Sequence, residues 1–150
     1  MNIDLHTGYG ERGTLHLFPD AIKDKKIKAM MEKVFDGYRI DWGDSSDFYT
    51  VTGDFPGYLA KLITQGVYIS MTFEYGTLDS QTTVGSIKSL HTTILENQGF
   101  NFGYKSDKDK NEVGQNFREM YFPASPAWRT KVIKDSRIMT GKALKQFRTL

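Results

Sequence analysis

The sequence predicts an α/β fold, because short apolar strands alternate along it with segments of helical period. Three stretches carry that expectation. Val67–Tyr75 alternates between two faces as a strand does. Ser80–Asn97 places Val84, Ile87, Leu90 and Ile94 at helical spacing. Ser125-Pro126 is a cap residue followed by a proline at the first helical position, the opening of a long final helix. With 150 residues the chain is long enough to bury a core of its own, so one domain over 1–150 is expected.

The elements follow in order. Ile3-Asp4-Leu5-His6 reads as a short strand already under way when the chain begins, and Thr7–Pro19 as a glycine-rich loop with a small strand at Thr14–Phe18. From Asp20, a suitable N-cap, to Phe35 the residues Ile22, Ile27, Met30, Met31 and Val34 follow a helical period. Tyr38–Trp42 reads as a second strand before a polar loop, and Phe55–Gln65 as a helix with Pro56 in its first turn. Gly66 ends that helix, and Gly99 is expected to end the one begun at Ser80. Gly103–Gly114 is charged and reads as a mobile connection.

Composition narrows the function classes. Hydrophobic residues make up 39% and charged residues 25%, as in an ordinary globular protein. Twenty basic and eighteen acidic side chains leave a formal charge of +2, which gives no case for nucleic acid or an anionic membrane as partner. Lys131, Lys134, Arg137, Lys142, Lys145 and Arg148 recur along the last helix without interleaved aromatics, the pattern of a solvated face. Cysteine is absent, so disulfides and thiolate metal sites are excluded and any metal must be held by His, Asp or Glu. The first residues lack a basic and apolar leader, and no window approaches a membrane span. A cytoplasmic location is expected.

Two strand ends share one local design. His6 is followed by Thr7-Gly8, and Glu74 by Tyr75-Gly76-Thr77. Ligands of α/β sheets bind beyond the carboxyl ends of strands, where loops leave a crevice. Alternation puts Tyr68, Ser70, Thr72 and Glu74 on one face, and sets Asp4 with His6 opposite Ile3 and Leu5. From spacing alone His6 is either a ligand or a solvated surface histidine, and Glu74 is first of all a solvent-facing carboxylate. His16 and His91 are weaker still; no two histidines have local ligand spacing, and no His-x-x-Glu is present.

Longer motifs add a resemblance. Asp4-Leu5-His6-Thr7-Gly8-Tyr9-Gly10, Thr72-Phe73-Glu74-Tyr75-Gly76-Thr77, and Phe117-Arg118-Glu119-Met120-Tyr121-Phe122-Pro123 leading to Pro126-Ala127-Trp128-Arg129 recur in that order. Over essentially its whole length the chain resembles the C-terminal half of a carboxypeptidase A-like zinc peptidase, in a bacterial branch of that family. The resemblance implies the C-terminal part of a mixed-sheet zinc-carboxypeptidase-like fold with helices on both faces. It implies zinc as cofactor, His6 as a zinc ligand and Glu74 as the general base. Tyr49, in Phe48-Tyr49-Thr50, falls where the family places a mobile substrate-binding tyrosine. Asp4 is either a partner orienting His6 or an exposed strand carboxylate.

The departure from the family pattern is as informative. The family's first two ligands come from a His-x-x-Glu, and its substrate-binding arginine from a later segment, both ahead of the residue matching His6. A catalytic zinc takes three protein ligands and an open position, whereas this chain offers one recognisable ligand. The expected function is therefore zinc-dependent hydrolysis of a peptide or similar amide bond, completed by a missing N-terminal half or a second chain. Two alternatives stand beside it: a catalytically incomplete binding module, and a zinc-dependent deacylase of small N-acyl amino acids.

Overall fold

The middle strand of a three-stranded mixed sheet organises this α/β structure. The computed structural model describes residues 1–150 apart from 20, 21, 23 and 43–52. The elements are β1 (Asn2–Arg12), β2 (Leu15–Phe18), α1 (Lys25–Val34), α2 (Phe55–Leu62), β3 (Ser70–Gly76), α3 (Thr83–Phe102), α4 (Asp107–Tyr121) and α5 (Pro126–Phe147). The sheet order is β1-β3-β2. By compactness the chain divides into two interleaved units. One comprises Met1–His6, His16–Glu74 and Ile133–Leu150; the other comprises Thr7–Leu15 and Tyr75–Val132.

The first unit is built around an apolar core. Leu17, Met31, Val34, Phe35, Ile69, Met71, Phe73, Met139 and Ala143 are buried, and the rings of Phe35 and Phe73 meet edge to face at 6.1 Å. Helix α1 is capped by Asp24, whose carboxylate accepts from Lys26 N at 2.7 Å, so it begins later than expected. Asp20, the expected cap, lies outside the described residues. Helix α2 starts at Phe55 with Pro56 in its first turn, as the sequence predicts, behind the cap Asp54. Tyr38–Trp42 does not form a strand. Gly37 turns the chain at φ 81°, and only Ile40 then bridges to Leu17, with Asp41 N donating to Leu17 O at 2.8 Å.

The second unit corrects four sequence expectations. Thr7–Arg12 is not a loop but the continuation of β1, in which Gly8 and Gly10 take φ values of 145° and 104°. Glycine here bends a strand instead of interrupting it. Gly103–Gly114 is mostly helix: Ser106 caps α4 by accepting from Asp109 N at 3.1 Å, Asp107 and Asp109 sit in the first turn, and Arg118 in the last. Charges that suggest a mobile linker are instead matched to the two ends of a helix dipole.

Helix α3 exists where predicted but is turned the other way. Val84, Ile87, Leu90 and Ile94 are exposed, whereas Gly85, Thr92 and Gly99 are buried. Close approach decides this. A Cβ at Gly85 would lie 2.0 Å from Asp79 O, and one at Gly99 would lie 2.0 Å from the Tyr104 ring. The helix packs its small residues and passes through Gly99 to end at Gly103, φ 87°.

Glycines therefore separate into two classes with opposite mutational signs. A Cβ at Gly76 would meet Glu11 O at 1.9 Å, so Gly76→Ala should lower unfolding stability by about 2–3 kcal/mol. Gly114 and Gly141, inside α4 and α5, have nothing within 4 Å of that position. Alanine at either should raise stability by about 0.5–1 kcal/mol in urea titrations.

Candidate functional site

Asp4, His6 and Glu74 come together in the first unit. Asp4 and His6 are two residues apart on β1, so alternation sends both side chains to one face. His6 Nε2 lies 3.0 Å from Asp4 Oδ2. A carboxylate only accepts, so Nε2 carries the proton and donates. On the other side of the ring, Nδ1 lies 3.8 Å from Glu74 Oε2. That is too long for a hydrogen bond and close enough for an ion pair when the ring is charged.

Burial grades the three side chains. His6 is 53% exposed, Asp4 27% and Glu74 only 11%. The expectation of a solvent-facing Glu74 is thus corrected. It sits on the central strand β3, whose residues are covered on both faces. Tyr49 lies outside the described residues.

The turn that follows Glu74 belongs to the second unit and is held by contacts within it. Gly76 has no room for a side chain, Gly13 N donates to Gly76 O at 2.9 Å, and Trp128 Nε1 donates to the same carbonyl at 2.9 Å. Thr77 is fully buried, and its hydroxyl lies within bonding distance of Met120 O at 2.6 Å and Gly8 O at 3.0 Å. Arg12 donates to Thr77 O at 2.7 Å and approaches Glu119 at 3.8 Å. The motif residues Gly76, Thr77, Glu119 and Trp128 are thereby accounted for as anchors of this turn. Sequence reading attached them to a family pattern without showing what they touch.

Zinc, which the resemblance implies, needs about four ligands. Among the described residues no group of three or more His, Asp or Glu is placed to hold a metal ion. Asp4, His6 and Glu74 therefore do not make a metal centre by themselves. Their arrangement suits a lesser part: one imidazole, oriented through Nε2, with Nδ1 turned toward a buried carboxylate.

Away from this cluster, a cleft of about 400 Å³ between α3 and α4 is lined by His91, Leu95, Tyr104, Asp109 and Glu112, among others. Tyr104 donates to Glu96 at 3.1 Å, and desolvation together with that carboxylate holds its hydroxyl above the usual tyrosine range. His16 stacks on Phe18 at 5.9 Å. On α5, Lys131, Lys134, Arg137 and Lys145 are exposed, as is Arg148 just beyond it, while Lys142 donates to Asp36 O. No helix among the described residues is long and apolar enough to cross a membrane.

Fold and site together define a mixed α/β protein with an imidazole–carboxylate cluster on adjacent strands. Comparison with known families is specific: the family described as "Protein of unknown function (DUF2817)" matches residues 1–135, and the chain belongs to it. No curated protein and no solved structure matches the chain.

The Thr77 anchor is open to direct test. Thr77→Val removes a buried hydroxyl and leaves carbonyl acceptors without it, which should cost about 1–3 kcal/mol in denaturant unfolding. Thr77→Ser, which keeps the hydroxyl, should lose less.

Proposed function

We propose that this chain supplies one zinc-ligand imidazole and the general base of a zinc-dependent hydrolase cleaving a peptide or similar amide bond, as carboxypeptidases do. The observation that carries this reading is the His6 ring, held by Asp4 through Nε2 at 3.0 Å while Nδ1 faces Glu74 at 3.8 Å. The order of motifs around His6 and Glu74 supports it independently. In such a reaction the metal acidifies water and polarises the scissile carbonyl.

The chain's own residues have distinct parts. Asp4 fixes the His6 tautomer that leaves the Nδ1 lone pair available for coordination. Glu74, shielded from bulk solvent, accepts a proton from water and delivers it to the leaving amine. Tyr49 is proposed as a hydrogen-bond donor to bound substrate, a peptide or an acyl amino acid. The remaining donors come from a second chain or from further polypeptide beyond the described residues. The rival reading is a binding module without catalysis, which rests on the single recognisable zinc ligand, His6, in the sequence.

Metal content and peptide hydrolysis decide between them. The purified 150-residue chain should bind zinc weakly and turn over peptides negligibly. Completing the donor set should restore both, and Glu74→Gln in that assembly should lower kcat by about 10²–10⁴-fold while zinc stays bound. Stoichiometric zinc with Glu74-dependent hydrolysis by the lone monomer would instead show that the chain carries ligands of its own.

A further inference from the structure

The outer edge of β1 has no strand or bridge beside it among the described residues. The opposite edge differs, because β2 takes the bridge from Ile40 to Leu17. Backbone alternation shows which groups of β1 lie open. Asn2 N donates to Ile69 O at 2.8 Å, so Asn2, Asp4 and His6 turn their amides and carbonyls toward β3. Ile3 and Leu5 turn theirs outward. Proteins commonly guard such edges with lysine, proline or a covering segment. Asn2–His6 contains neither lysine nor proline, and Leu5 is 60% exposed.

We propose that β1 pairs edge to edge with β1 of a second copy of this chain, antiparallel about a two-fold axis at Leu5. The register follows from the side chains. The outward backbone groups belong to odd-numbered residues, so odd residues must stand opposite odd ones. With Leu5 opposite Leu5 of the partner subunit, two exposed apolar side chains cover each other, and Asp4 stands opposite His6 of the partner subunit on both sides of the axis. Slipping the register by one step either way sets two Asp4 carboxylates, or two His6 rings, directly against each other. The central register is the one with charge complementarity.

The pairing has a consequence for the site. Opposed residues in an antiparallel pair project to the same face, so the partner subunit's His6 and the partner subunit's Asp4 join the face that already carries Asp4 and His6. A second imidazole thereby enters a cluster that lacks donors. This consequence rests on the hydrolase reading; the pairing itself rests only on the edge.

Sedimentation of the purified chain from micromolar to near-millimolar concentration tests the pairing. A concentration-dependent monomer–dimer equilibrium is expected. Leu5→Lys places like charges face to face, and Leu5→Pro removes the outward amide; each should weaken association about tenfold or more with an unchanged circular dichroism spectrum. Ile87→Lys, on the exposed face of α3, should leave association as it was. A monomer at every concentration, or a dimer lost in Ile87→Lys and kept in both Leu5 variants, overturns the proposal. Titration of the dimer with zinc chloride separates the two ideas. Zinc uptake abolished by His6→Ala supports both, whereas a Leu5-dependent dimer that takes up no zinc upholds the pairing and overturns the idea that the pairing supplies the missing donors.

Discussion

The structure depends on one constraint, the position of β3 in the middle of its sheet. Its edges are both paired and its residues are buried on both faces, so polar and apolar side chains lie inside together. Ser70 and Glu74 are buried along with Met71, Phe73 and Tyr75. Glu74 therefore has a covered environment although it lies on the more polar face of β3. Burying a carboxylate is costly unless polar groups answer it. The His6 ring, 3.8 Å away, is one such group, and it reaches that place because β1 is the neighbour of β3.

The same constraint explains which parts of the site were legible in the sequence. His6 and Glu74 were visible as strand-end residues with matching Gly-containing successors, and alternation correctly put Asp4 on the face of His6. The burial of Glu74 was not visible, since Tyr68, Ser70, Thr72 and Glu74 read as a polar face and hence a wet one. Alternation separates two faces but does not say whether either meets water. Only what packs over each face decides that, and such packing is a long-range property.

Helices show a parallel limit. The helical period in Ser80–Asn97 was strong enough to locate α3, yet the apolar stripe pointed the wrong way. Hydrophobic pattern marks a preference for burial, while the actual contact face went to residues that permit close approach. Gly85 and Gly99 sit where a methyl group would collide with Asp79 O and with Tyr104. Small residues at helical spacing were the signal available in the sequence, and the stronger apolar signal hid it. In α4 the misreading was electrostatic. Acidic residues behind Ser106 and Arg118 near the end have the polarity of a capped helix, although their density suggests a solvated tether.

Within the cluster, the two carboxylates act on the imidazole unequally because their distances differ. At 3.0 Å, Asp4 makes a true hydrogen bond and commits the Nε2 proton. At 3.8 Å, Glu74 makes none with Nδ1, and influences that nitrogen only through its field. A neutral ring with Nε2–H committed leaves its lone pair on Nδ1, on the side of the better-buried carboxylate. Reversing the roles would require Asp4 to donate, which an ionised carboxylate does not do. Asp4 thus determines which His6 nitrogen faces Glu74 as a base. An exposed strand carboxylate and an orienting partner are, at this position, the same residue doing one thing: it remains partly solvated and still selects the tautomer on which any chemistry at Nδ1 depends.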